Sequence, residues 1–138
     1  MGASPWRMAL PLGYLAMIYA LSSISDDQPD TTLAGALYLW VTPQWQNLLH
    51  IPLYAGLTLS WIWALGTYPL RRQKLLLLAF FLTALSGLLD EIHQAYVPGR
   101  HASFTDMLLN TSGAILAIAF DWWRNLPEKH QDDRGGAS

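Results

Sequence analysis

Residues 85–110, which read LSGLLDEIHQAYVPGRHASFTDMLLN, place titratable side chains inside strongly apolar sequence. Asp90 and Glu91 stand together at the end of one apolar run, and Asp106 and Asn110 fall inside the next run. A charged group at the centre of a membrane span costs roughly 2.5–3.5 kcal/mol, so such a group is a functional hypothesis by default. Carboxylates in that setting can transfer protons or bind a polar ligand.

The composition of the 138-residue chain excludes several classes of protein. The chain is 52% hydrophobic and 13% charged, against about 25% charged residues in a typical soluble domain. It contains no cysteine, which removes disulfides, thiolate nucleophiles and zinc–thiolate sites. The formal net charge of −2 offers no basic surface to nucleic acid. No sequence motif indicates a metal site or a cofactor, and we expect no cofactor. Whether a divalent ion sits between the Asp and Glu oxygens stays open.

Four apolar runs are long enough to cross a bilayer, which takes about 20 apolar residues. The runs are Met8 to about Ser25, Asn47 to Gly66, Lys74 to about Tyr96, and Phe104 to Trp123. We therefore predict an all-α membrane protein, a four-transmembrane-helix bundle formed by residues 1–124 as one domain. The segment TLAGALYLW between the first two helices is too short to span and is predicted to be interfacial. The polar residues 125–138 are predicted to form a disordered cytoplasmic tail.

The distribution of basic residues predicts the orientation of this bundle. With four spans, seven of the eight Lys and Arg residues fall on one side, and only Arg100 falls on the other. Both termini are then cytoplasmic, which is an N-in and C-in topology. One alternative is that the N-terminus is a cleaved signal peptide, but Pro11 interrupts the apolar stretch and only Arg7 precedes it.

This topology brings polar residues from three helices to the outer face of the membrane. Residues three and four apart share a helix face, and His50 and Tyr54 follow that spacing on the second helix. The corresponding residues of the third and fourth helices are Asp90, Gln94, Asp106 and Asn110.

The loop between the third and fourth helices has the chemistry of a tight turn. Pro98 and Gly99 predict a type II turn, which would lay the two helices antiparallel. Ser103 or Thr105 is placed to cap the fourth helix. We expect Arg100 to lie over the helix ends and to neutralise at least one of the nearby carboxylates, because unpaired buried charge is costly.

The sequence DEIHQAYVPGRHASFTDMLLNTSG closely resembles the signature of the VanZ-like membrane proteins. Upstream, HIPLY is similar to that family's His followed four residues later by Tyr, and YALSSIS to its serine-rich end of the first helix. The resemblance covers most of residues 14–117. One departure is Gln46-Asn47, where the family usually has an Asp-Lys pair.

The resemblance implies a bacterial inner-membrane protein that faces the cell envelope. The founding members of the family accompany glycopeptide-resistance gene clusters and are associated with low-level teicoplanin resistance. No reaction is established for them, so the resemblance implies a cellular context and not a chemistry.

Three functions fit these residues. The leading hypothesis is that a polar, outward-facing pocket binds an envelope component, such as a lipid or a lipid-linked ligand, and alters envelope or glycopeptide susceptibility. A second is an enzyme that acts on a lipid-linked substrate, with His50, Asp90 and Glu91 as acid–base groups. A third is a structural or partner-binding membrane subunit. The ligand and the oligomeric state stay open. The candidate cluster residues are Tyr54, Gln94, Arg100, Ser103, Asp106 and Asn110.

Each candidate also has a structural interpretation. The adjacent acids could form salt bridges with Arg100 or His50 that hold helix ends together. Asp106 is favoured in the first turn of a helix by the helix dipole. Asn110 is suited to hydrogen bonding between helices. His93 is expected to be an interfacial side chain.

Overall fold

The computed structural model describes residues 4–24, 43–100 and 102–126, without the side chains of 43–47. Every regular element within these ranges is a helix, which confirms the all-α prediction. The elements are a 3-10 helix at Pro5–Met8, α1 at Ala9–Ser22, α2 at Pro43–Leu65, α3 at Arg72–Gln94 and α4 at Phe104–Arg124.

The helix bounds follow the predicted apolar runs closely, and the main difference has a physical reason. Helix α2 begins before the apolar run, at Pro43. Proline suits the first position of a helix because its φ is already helical and its missing N–H would have no partner there. The predicted interfacial segment TLAGALYLW lies outside the described residues, as does the tail beyond Leu126.

Among the described residues, two helices are long and apolar enough to cross a membrane, over Leu48–Leu65 and Arg72–Gln94. Helix α1 has 14 residues, about 21 Å, which is shorter than the roughly 30 Å hydrocarbon core of a bilayer. Helix α4 has 21 residues but buries Asp106, Asn110 and Asp121. The structure therefore supports spans at α2 and α3, and the four-span arrangement stays a prediction.

Contacts between helix ends show that successive helices alternate in direction. The guanidinium carbon of Arg7 lies 4.6 Å from the ring centroid of Trp63, which brings the start of α1 to the end of α2. Arg72 forms an ion pair with Asp121, which brings the start of α3 to the end of α4. Helix α2 packs more extensively against α4 than against any other helix that the structure describes.

The apolar core and the buried polar residues occupy different parts of the bundle. Apolar side chains fill the part where α2 ends and α3 begins. The main core residues are Ile18, Leu57, Trp61, Ile62, Leu65, Leu75, Leu76 and Ala79. The opposite part, where α3 ends and α4 begins, is built from small and polar residues, and it holds the candidate site.

Glycines set how closely the helices approach in this polar part. A Cβ atom on Gly113 of α4 would overlap the backbone carbonyl oxygen of Ile51 and lie 3.1 Å from the backbone nitrogen of Ala55. A Cβ atom on Gly87 of α3 would lie 3.3 Å from the ring of Tyr54. Small residues at such contacts let helix backbones approach closely enough for side chains to bond across them.

We expect Gly113→Ala to lower the thermal stability of the protein, because the new methyl group would push α4 away from the α2 backbone. Overpacking of this kind costs about 1–3 kcal/mol. Gly13→Ala is the matched control, since a Cβ atom there meets nothing within 4 Å. Thermal melts in detergent should show a lower melting temperature for Gly113→Ala and no decrease for Gly13→Ala. Equal melts would contradict the packing of α2 on α4.

Candidate functional site

Polar side chains line the buried faces of α2, α3 and α4 near one end of the bundle. Their spacing of three or four residues along each helix places them on a single face of that helix. The buried polar side chains are Tyr54, Thr58, Thr83, Asp90, Glu91, Gln94, Asp106 and Asn110. We refer to these eight residues, together with His50, Arg100 and Ser103, as the polar cluster.

The turn between α3 and α4 brings two parts of the cluster together. Gly99 has a φ of 78°, and the N–H of Arg100 donates to the carbonyl oxygen of Val97 at 3.1 Å. These are the features of the predicted type II turn. Ser103 caps α4, since its Oγ accepts a hydrogen bond from the N–H of Asp106 at 3.4 Å. The turn prediction is confirmed, and of the two predicted caps it is Ser103 that forms.

Asp90 is satisfied by side chains from two helices. Its Oδ2 accepts hydrogen bonds from the hydroxyl of Tyr54 at 3.2 Å and from Nε2 of Gln94 at 3.0 Å. The guanidinium of Arg100 donates to Oε1 of Gln94 at 3.3 Å. Arg100 therefore reaches Asp90 through the Gln94 amide, and the predicted direct pairing of Arg100 with a carboxylate stays a prediction.

Glu91 ties the end of α3 to the start of α4 with one oxygen. Its Oε2 accepts a hydrogen bond from the backbone N–H of Ser103 at 2.7 Å. Its Oε1 is buried and has no hydrogen-bond partner among the described residues. One oxygen of the side chain therefore has a hydrogen-bond partner, and the other is buried without one within the described ranges.

His50 of α2 and Asn110 of α4 form the third connection. Nδ1 of His50 lies 2.8 Å from Oδ1 of Asn110, which makes the imidazole nitrogen the donor. The imidazole ring also stacks on Tyr54, with centroids 6.1 Å apart. The bond fixes the Asn110 amide, whose Nδ2 is buried and meets no acceptor in the described part of the chain.

Asp106 adds a second buried carboxylate oxygen without a hydrogen-bond partner in the described part of the chain. Its side chain is 7% exposed, and its Oδ1 finds no donor among the described residues. Glu91 interacts electrostatically with Asp106, with Asp90 and with His50. The acids of α3 and α4 therefore act on one another across the helix interface.

The arrangement provides two carboxylate acceptors and one amide donor, all buried. Such a set can bind a polar ligand, and the carboxylates can exchange protons with it. Across residues 4–24, 43–100 and 102–126, no group of three or more His, Asp or Glu side chains is placed to hold a metal ion.

The model of the VanZ/LLP1 family matches residues 7–124, which include α1 to α4 and the whole polar cluster. The chain belongs to the VanZ/LLP1 family. No curated protein and no solved structure matches the chain significantly. Membership of the VanZ/LLP1 family, together with the two helices able to span a bilayer, identifies a membrane protein.

The structure of this VanZ/LLP1 protein links all nine predicted site residues that it describes into the polar cluster. The remaining polar position of the second helix, Asn47, lies outside the described side chains, as does Gln46. His93 lies apart from the cluster, against α1. Its Nε2 is 3.0 Å from Oγ of Ser23, and its ring is 4.2 Å from that of Tyr19.

Sequence reasoning missed a buried acid at the opposite end of α4. Asp121 is 1% exposed, and its two carboxylate oxygens face Arg72 and Arg124. The signal in the sequence is a single acid within ILAIAFDWWR, just before a basic residue. Its partner Arg72 is far away in sequence, and only the packing of α3 on α4 reveals the pair.

We expect Tyr54→Phe to destabilise the protein, because Asp90 would lose one of its two donors in a buried setting. Leaving a buried polar group short of a partner costs about 1–3 kcal/mol. Tyr96→Phe removes the same hydroxyl from a side chain that is 83% exposed and serves as the control. Thermal melts of both variants test the contact. If the melting temperature of Tyr54→Phe were as high as that of Tyr96→Phe, the hydrogen bond from Tyr54 to Asp90 would contribute nothing to stability.

Proposed function

We propose that this VanZ/LLP1 protein crosses the bacterial inner membrane four times and holds both termini in the cytoplasm. The polar cluster then lies near the outer face, where it binds a polar component of the cell envelope. Through this binding the protein alters envelope susceptibility, including susceptibility to glycopeptides such as teicoplanin.

One observation carries the binding proposal. Three buried polar atoms of the cluster have no hydrogen-bond partner within the described residues, namely Glu91 Oε1, Asp106 Oδ1 and Asn110 Nδ2. An unsatisfied buried polar atom costs about 1–3 kcal/mol, more when it is charged. A ligand that offers the matching donors and acceptor would recover this free energy, so binding is favoured at this place.

The opposite end of the bundle supports the proposed orientation. Arg7, Arg72 and Arg124 gather there, and basic residues favour the cytoplasmic side of a membrane. Trp122 and Trp123 are exposed at the same end, where tryptophan is enriched at membrane interfaces.

Cysteine labelling tests the topology, since the chain has no native cysteine. We expect Ala102→Cys, in the loop before α4, to react with a membrane-impermeant maleimide. The reagent is added to cells whose outer envelope layers have been removed and whose cytoplasmic membrane is intact. Gln73→Cys, at the start of α3, should react only after the membrane is permeabilised. The reverse pattern would contradict the proposed orientation.

The effect of an envelope lipid extract on thermal stability tests binding. We expect the extract to raise the melting temperature of the purified wild type, because a ligand that binds only the folded state stabilises it. Glu91→Gln removes the charge at the open oxygen and should abolish the rise. The chain's other glutamate supplies the isosteric control Glu128→Gln, which should respond like wild type.

An equal rise in Glu91→Gln and wild type would contradict binding at the polar cluster. The same two variants can be expressed in cells to measure teicoplanin susceptibility. Wild type and Glu128→Gln should change it to the same extent, and Glu91→Gln should not.

A second candidate function is acid–base catalysis on a lipid-linked substrate. It is favoured by the electrostatic interaction of Glu91 with Asp106 and His50, which groups two carboxylates and an imidazole. An enzyme would convert a component of the extract into a new species, and Asp106→Asn would stop that conversion. Mass analysis of the extract before and after incubation distinguishes turnover from binding.

A further inference from the structure

We propose that the ligand of the polar cluster presents a primary ammonium group with an oxygen acceptor two carbons away, the 2-aminoethanol unit. This inference rests on the proposed binding function and specifies the chemical class of the ligand. It follows from the kinds of atoms that the cluster leaves open.

The open acceptors are both carboxylate oxygens. Oε1 of Glu91 on α3 and Oδ1 of Asp106 on α4 are both buried without a hydrogen-bond partner among the described residues, and the two side chains interact electrostatically. Asp90 differs from them, since Tyr54 and Gln94 already donate to it. A group that satisfies both unpartnered oxygens must donate at least two hydrogen bonds, and a positive charge on that group would let both acids bind it as carboxylates.

A primary ammonium meets both requirements. It has three N–H donors, no acceptor and a compact positive charge. A neutral hydroxyl supplies a single donor and no charge. A divalent cation takes about six oxygen ligands, and the described residues offer no group of three ionisable ligands. A quaternary ammonium has charge but no N–H to donate.

The unpartnered amide nitrogen of Asn110 indicates that the ligand carries an acceptor near its ammonium group. Asn110 lies one helical turn beyond Asp106 on the same buried face, with Cβ atoms about 5–6 Å apart. Oδ1 of Asn110 accepts from His50, while Nδ2, which is buried against Gly87 of α3, has N–H groups without an acceptor in the part of the chain that the structure describes. A ligand whose oxygen lies two carbons from its ammonium nitrogen can span one helical turn. Its ammonium would donate to the carboxylate of Asp106, and its oxygen would accept from the amide of Asn110.

The 2-aminoethanol unit occurs in two kinds of envelope molecule. The headgroup of phosphatidylethanolamine carries it as an ammonium and a phosphate ester oxygen. A 2-amino sugar carries it as an ammonium and a neighbouring hydroxyl. The cluster recognises the shared chemistry, and the source is decided by experiment.

The test uses the full-length protein in nanodiscs, with phosphatidylcholine as the host lipid and defined additions. The additions are phosphatidylethanolamine, its N-methyl and N,N-dimethyl derivatives, phosphatidylglycerol, and free glucosamine. The readout is the melting temperature as a function of added probe. We expect phosphatidylethanolamine or glucosamine to raise the melting temperature, and each N-methyl group on the lipid amine to reduce the rise.

Variants localise the effect. Glu91→Gln and Asp106→Asn should each reduce the apparent affinity for the amine at least tenfold. Asp121→Asn removes a buried acid at the opposite end of α4 and should keep the response of wild type, whatever its stability. Having two cluster variants keeps the test decisive if one of them fails to fold.

The outcomes separate this inference from the proposed function. A response to glucosamine but not to the lipid supports the ammonium and assigns it to a sugar. A response to phosphatidylglycerol alone, or one that is unchanged by N-methylation, overturns the ammonium inference. Stabilisation by the whole envelope extract without any response to the amines also overturns it, while binding at the cluster stands. Amine responses that survive both Glu91→Gln and Asp106→Asn overturn it as well.

Discussion

The burial of carboxylates at the end of α3 is the constraint on which the rest of this structure depends. A carboxylate removed from water must find donors or positive charge, and neither is available from a lipid chain or an apolar core. Asp90 meets this need with Tyr54 and Gln94, which requires α2 to lie against α3. Glu91 meets it in part with the backbone of Ser103, which requires the chain to reverse at once. The close helix contacts at Gly87 and Gly113, and the turn at Gly99, serve this arrangement.

The two ends of α4 handle a buried acid in different ways. At one end, the oxygens of Asp121 face two arginines, and this pairing locks α4 against the start of α3. At the other end, Glu91 and Asp106 each keep an oxygen open. Among the described residues, buried atoms without a hydrogen-bond partner also occur at the Asp121 end, at Arg7 Nε and Trp61 Nε1, but the carboxylate at that end is paired with arginine.

Local chemistry explains which features were predictable from sequence. The polar stripes follow from the helical spacing of residues such as Asp106 and Asn110, and the turn follows from the Pro-Gly pair, so both were predicted from nearby residues alone. Long-range register was not predictable in this way. The pairing of Arg72 with Asp121 depends on how α3 lies along α4, and the placement of Gln94 between Arg100 and Asp90 depends on side-chain conformations. Membrane spans were predicted for four runs, and the structure supports them at α2 and α3. Helix α4 is less apolar because it carries polar residues that build the site.

The central claim is that the polar cluster holds a ligand, and native mass spectrometry of the protein released from mild detergent tests it most directly. The wild type purified from its membrane should carry a bound adduct of defined mass, which collisional activation removes. The same adduct should persist on Asp121→Asn, whose change lies at the far end of α4, and should be missing from Glu91→Gln and Asp106→Asn. A wild type without any adduct, or one whose adduct is retained equally by all four proteins, would contradict a ligand site at the polar cluster.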